Sequence, residues 1–331
     1  MDIQNRRGLK DAATYSLARS SDSPKKLVLI HLGVSLLVSL LLSVLDFLLA
    51  QQIGAAGGLS GLGSRSLMTT VQYLLRLAQA ILLPFWQMGY LFLTLKLARE
   101  ESANAGTLLE GFRRLGPVLR YHLMLGIMLL GIILGSSYAA GVIFLFSPLS
   151  LPMMEQLEPL LSDPNMLENA AVMEVMVQHG RPLLLLYIAI LLVLLIPFFF
   201  RYRMAALVLM DTPETGVIRA FRTSRNMMKH HWMDVFKLDL SFWWFYLLEG
   251  LTVLVAYGDY VLAMLGIYLP LSPNALYFLF LILSVVCQLA LYGWRKNEVS
   301  VTYVHAYDAL RESLAAEPAP QPKNPPWAGG F

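Results

Sequence analysis

Five residues of one apolar stretch, His31, Ser35, Ser39, Ser43 and Asp46, recur at intervals of four, four, four and three and therefore share one face of a helix. A stripe of that kind does not face lipid. It lines a hydrated path, or it packs against a neighbour with its hydroxyls bonded to its own helix or across to the next. Both readings stay open on the sequence alone. Asp46 falls near the far end of its stretch and Arg76 near the same end of the following, antiparallel one, so the two could meet as an ion pair. Glu249, flanked by Leu248 and Leu251 and placed in the outer half of a later stretch, competes for Arg76. Against both stands the simpler reading in which each charge reaches the interface separately. His122 and Asp239 open two further stretches at matching depth, where they either touch and sense protons or cap their helices.

A wider search finds no reaction centre. The sequence holds no G-x-S-x-G elbow, H-E-x-x-H helix or P-loop; Gly58-Leu-Ser60-Gly61 fails the first because Leu62 stands where its second glycine belongs. Cys287, the only cysteine, allows no intramolecular disulfide and no cysteine-based metal site and reads as a packing residue. His230 and His231 are adjacent and point in different directions on a helix, while the i, i+3 spacing of His305 and Asp308 is too common to mark a site. No catalytic residue, metal or cofactor is assigned.

The elements that must position these groups are membrane spans. Of 331 residues 57% are hydrophobic and 14% charged, against about 25% charged in soluble domains, and mean hydropathy is +0.59. A spanning helix needs roughly 20 largely apolar residues. Six such runs are read at about 27–50, 71–97, 120–146, 182–203, 236–257 and 274–294. Alternate connections, with both ends, hold 22 of the 25 Lys and Arg, leaving only Arg65, Arg76 and Arg181 elsewhere. The excess of positive charge on the cytoplasmic side predicts an all-α, polytopic transmembrane bundle of six spans with both termini in the cytoplasm. The loop 147–181 on the opposite side carries Glu155, Glu158, Asp163, Glu168 and Glu174. The first run exceeds a 7–15-residue signal-peptide core, and no A-x-A-like site follows it, so it is read as retained.

Smaller pieces fill the cytoplasmic side: a basic leader 1–26, a helix 295–316 and a Pro-rich stretch 317–331 expected to be disordered. Thr107 with Glu110 has the spacing of a capping box, and Thr212-Pro213 reads as a helix start. From there Val217, Ala220, Phe221, Ser224, Met227 and Met228 fall on one side, with a basic stripe of Arg219, Arg222, Arg225 and Lys229 on the other. That helix lies along the membrane surface against anionic lipid, or it docks as a connector under the bundle. Gly131, Gly135 and Ala139 make a small-xxx-small stripe suited to close helix approach, and Pro84 and Pro197 are candidate kinks.

Ala220, Ser224, Met228-Lys229, Phe236 and Leu238-Asp239-Leu240-Ser241-Phe242 followed by Trp244 form a distinctive run. In it the chain resembles the bacterial six-helix membrane proteins catalogued as domain of unknown function family 975. The leader residues Arg7, Leu9-Lys10 and Ala12 are similar to that family's start, and Tyr307-Asp308-Ala309-Leu310 to its close. His230-His231 depart from the glycine and small polar residue usual after Met-Lys. The resemblance implies a six-span bundle in a bacterial plasma membrane and supplies no activity. At the cytoplasmic boundary Asp239 and Ser241 are expected to satisfy N–H groups at a helix start while Leu238, Leu240 and Phe242 enter the hydrocarbon.

The expected function is non-enzymatic binding or assembly in the membrane, with a lipid or an exporter subunit as partner and no nucleic acid. A small permease using the first-span stripe and Glu249 is the alternative. An intramembrane enzyme built on Asp239, His122 and an inner-side Arg is the second.

Overall fold

Charge-free runs of Leu, Ile, Val and Phe form long helices because a helix satisfies its own backbone groups where no water can. The computed structural model describes residues 2–20, 22–55, 62–158, 174–175, 180–267 and 269–316. Asp163, Glu168, the middle of the Gly-rich loop and the Pro-rich stretch 317–331 lie outside them, as does the Asp46 side chain. The longer helices are α1 (Arg6–Arg19), α2 (Pro24–Ala55), α3 (Leu62–Ala98), α4 (Leu115–Leu145) and α5 (Arg181–Tyr202). After them come α6 (Ala205–Asp211), α7 (Val217–Met228), α8 (Trp232–Leu240), α9 (Trp243–Ala256), α10 (Gly258–Met264), α11 (Pro273–Leu291) and α12 (Asn297–Ala316).

Five helical segments are long and apolar enough to cross a membrane: Pro24–Leu45, Ser66–Ala98, Leu115–Leu145, Arg181–Asp211 and Asn274–Ala316. The fifth expected span, 236–257, is instead a broken pair, α8 and α9, bent by 65°. Among the described residues the candidate spans therefore number five, or six if that pair counts as one. Neither Pro84 nor Pro197 ends its helix. The last expected span and the helix expected after it are one rod, because α11 passes through a π-helical turn, Tyr292–Lys296, straight into α12. Such a turn inserts one extra residue without ending a helix.

The chain divides into two compact units, residues 1–119 with 204–331, and residues 120–203. In the first unit the packing is densest towards one end of the long helices. Leu9 of α1, Leu93 and Leu97 of α3, Leu209 and Met210 of α6, Ala220 of α7 and Val304 and Leu310 of α12 are buried like a soluble core. We call this the hub. Along the spans large apolar side chains point outward, Ile127 at 70% and Val193 at 69% exposure among them, as lipid-facing surfaces do.

Glycine sets the closest contact in the hub. A Cβ on Gly89 of α3 would run into the carbonyl oxygen of Leu108, and one on Gly111 into that of Phe85, so the Ala105–Leu109 turn and its continuation lie directly on α3. At Gly131 and Gly135, in the stripe expected to do this, nothing among the described residues comes within 4 Å of a Cβ. Asn104, not Thr107, caps the turn. The Thr107 N–H donates to Asn104 Oδ1 at 3.1 Å and the Asn104 N–H to Thr107 Oγ1 at 3.2 Å. Thr212 caps nothing through its side chain, and α7 starts only after Gly216, whose φ of +75° suits glycine.

Candidate functional site

The hub is held by one carboxylate. Asp211, at the end of α6, accepts from Arg99 at 2.5 and 3.2 Å, from Arg311 at 2.6 Å and from the Tyr307 hydroxyl at 3.0 Å. Arg99 reaches Asp308 as well, at 2.8 Å. Its guanidinium is held above its ordinary pKa, chiefly by the hydrogen bond to Asp211. Sequence reasoning missed this centre, although Tyr307 and Asp308 lie in the stretch that carries the family resemblance. His305 turns to another element, its Nε2 meeting Ser16 Oγ of α1 at 3.1 Å. These charges neutralise one another pairwise, a clamp rather than a reaction centre.

The bend between α8 and α9 is the second feature. Leu238 and Phe242 are buried in protein, and only Leu240 of the three expected in hydrocarbon is exposed. Asp239 accepts from the Tyr303 hydroxyl, and the Ser241 hydroxyl donates to the Leu238 carbonyl at 2.6 Å. Ser241 thus closes α8 rather than opening a span. Its own carbonyl, an orphan of the helix end, accepts from Lys10 Nζ at 3.0 Å, and that ammonium sits 4.0 Å from the centre of the Phe242 ring. Burial lowers the Lys10 pKa. Replacing Lys10 with Met keeps the stem and removes the charge; it is expected to cost about 1–2 kcal/mol, the worth of a charged hydrogen bond and its cation–π contact. A melting curve unchanged from the native chain would refute this.

The polar stripe of α2 divides. His31 is buried, stacked 4.4 Å from Tyr90 and 5.6 Å from Trp86. Its carbonyl accepts from Trp86 Nε1 at 2.9 Å and from Ser35 Oγ at 2.8 Å. Nearby, Tyr90 donates to Asn297 Oδ1 at 2.9 Å, and the Asn297 amide reaches the Pro24 carbonyl, which joins α2, α3 and α12. This end of the stripe packs against α3. Ser39 is half-buried, and Ser43 opens on a cavity at the other end of the helix.

Glu249 does not pair with Arg76. It accepts from the Tyr292 hydroxyl and lies 3.7 Å from Lys296 Nζ, beside the π turn and thus in the half of the bundle nearer the hub rather than the outer half. Arg76 is exposed and stands 22 residues before the end of α3, about 33 Å along the helix. His122, edge-on to Tyr121 at 5.2 Å, belongs to the second unit and Asp239 to the first.

On α7 the two expected sides are clear. Ala220, Phe221, Ser224, Met227 and Met228 are buried, whereas Arg219, Arg222, Arg225 and Lys229 are all exposed. The Ser224 hydroxyl accepts from the Met204 N–H at 3.2 Å, fixing α7 against the start of α6. The apolar side is taken up by protein, so the helix docks on the hub and presents its cations outward.

Several helices of membrane-crossing length and apolar composition, joined at a packed polar hub, define a multi-pass membrane protein. The chain belongs to a family described as protein of unknown function DUF975, whose model matches residues 3–292. No curated protein and no solved structure matches it.

Proposed function

We propose that the molecule is a non-enzymatic protein of a bacterial plasma membrane, with six spans and both termini in the cytoplasm, and that the ridge on α7 binds anionic lipid headgroups. One observation carries this reading. Arg219, Arg222, Arg225 and Lys229 stand exposed on one side of a helix whose other side is buried, and no acidic side chain among the described residues pairs with them. The segment that follows favours lipid over an acidic protein. On α8 and at the start of α9, Trp232, Phe236, Leu240 and Trp243 are exposed at roughly helical intervals, the kind of aromatic and apolar row that settles at headgroup depth. Each cation near an anionic surface is worth about 1 kcal/mol, so four together favour an anionic over a neutral surface by up to about a thousandfold.

The test is lipid retention. The protein is purified into nanodiscs from mixed phosphatidylglycerol and phosphatidylcholine, beside the variant R219Q/R222Q/R225Q/K229Q and a charge-preserving control with Arg219, Arg222 and Arg225 changed to Lys. The native chain and the control are expected to enrich phosphatidylglycerol, and the Gln variant to lose at least tenfold of that enrichment while melting unchanged. Equal enrichment in all three, or a stoichiometric protein subunit displacing the lipid, would overturn the reading.

A further inference from the structure

At the end of the bundle away from the hub, α2, α10 and α11 line a half-open cavity of about 300 Å³ that the lipid reading does not use. Ser43, which lines it, is 19 residues from the start of α2, about 28 Å or one bilayer core from the hub. Among the described residues the cavity has one charged group, Asp259, whose Oδ1 is buried and meets no hydrogen-bond partner among them. Around it stand Tyr260, Tyr277 and Phe278, with the polar groups of Ser43 and Asn274. Gly258 fixes the carboxylate there: its Cα lies so close to the Phe280 ring that a Cβ would overlap it, which seats the start of α10 on α11.

An unpaired carboxylate oxygen shielded from water is costly unless a positive charge meets it. Among the described residues no cluster of three or more His, Cys, Asp or Glu exists, so a divalent metal lacks the oxygen ligands it demands. An organic ammonium needs less: one carboxylate for its charge, aromatic faces for its alkyl groups, and a hydroxyl or amide for any N–H it carries. The cavity, about ten times the volume of one liquid water, holds an ion of that size.

We propose that this cavity is a binding site for a small alkylammonium group, with Asp259 as its counter-ion and Tyr260, Tyr277 and Phe278 as its walls. The group arrives as a free amine or quaternary ammonium, or as the headgroup of a lipid such as phosphatidylethanolamine. The site is independent of the α7 ridge, and neither proposal falls with the other.

The experiment uses the full chain with Ser43→Cys in a Cys287→Ala background, reconstituted in phosphatidylglycerol nanodiscs. The introduced thiol is labelled with a trimethylammonium-bearing or a sulfonate-bearing methanethiosulfonate of similar size, and their rate ratio is compared with that on a free thiol. The ammonium reagent is expected to gain at least tenfold. Tetramethylammonium should slow it, an uncharged isostere should not, and Asp259→Asn should remove the gain. Protection by phosphatidylethanolamine discs without added salt identifies a headgroup as ligand, and protection only by the free ion identifies a soluble one. A ratio equal to the free thiol's, or equal protection by ion and isostere, overturns the proposal. Should Asp259→Asn fail to fold, the comparison of ion with isostere on the native carboxylate still decides.

Discussion

Asp211→Ala is expected to loosen the hub more than any other single removal of a polar group. The substitution strands Arg311, leaves Arg99 to Asp308 and takes the acceptor from the Tyr307 hydroxyl. Removing one partner of a fully buried pair costs about 3–5 kcal/mol. Here the Asp211 side chain is 8% exposed but Arg99 is 30% and Arg311 51%, so solvent recovers part of the loss and about 2–3 kcal/mol remains. For a chain of this size that lowers the melting midpoint by roughly 3–4 °C. Arg311→Ala, which removes the most exposed partner, should cost under about 1 kcal/mol. Melting curves in detergent that place the two variants together would show that the hub does not depend on this carboxylate.

Gly89→Ala is expected to be worse still. Its methyl group would overlap the Leu108 carbonyl oxygen, a backbone atom that cannot swing aside as a side chain does. Overpacking usually costs about 1–3 kcal/mol and more when backbone must move. The turn that would have to move also carries the buried Leu108 and Thr107. Loss of the monodisperse peak on size exclusion, or a fall in melting midpoint beyond that of Asp211→Ala, is the anticipated result. Gly131→Ala makes the contrast. With open space around it, the change should be neutral or stabilise by up to about 1 kcal/mol through helix propensity. If both alanine variants melt alike, the close contact at Gly89 is not what holds the turn.

The long helices were legible because bilayer and helix impose one period and one length on the sequence. Where two local patterns overlapped, the sequence could not choose. Thr107-x-x-Glu110 and Asn104-x-x-Thr107 both fit a cap, and the structure uses the second. The bend at Ser241–Phe242 was hidden because no proline or glycine marks it, and Lys10, which meets its open carbonyl, comes from the far end of the chain. Glu249 was misplaced for a related reason. Counted along one straight span it lies far from the cytoplasm, but once α8 is folded away as a separate helix, the same residue sits beside Lys296. Gly131 and Gly135 carried the pattern for close approach, whereas Gly89, Gly111 and Gly258 had no pattern and make the contacts. The α7 cations were fully legible, since an amphipathic period needs no distant partner to be seen.

The meeting of Ser16 with His305 joins groups 289 positions apart, and the first and last helices described share that interface. At about 5–20 residues per second of ribosomal synthesis, α1 waits roughly 15–60 seconds for its mate to emerge. Every hydrophobic segment is handed to the insertion machinery before the interface can close. The Leu9 and Ala13 side of α1, buried in the folded hub, therefore stays uncovered until α12 has emerged.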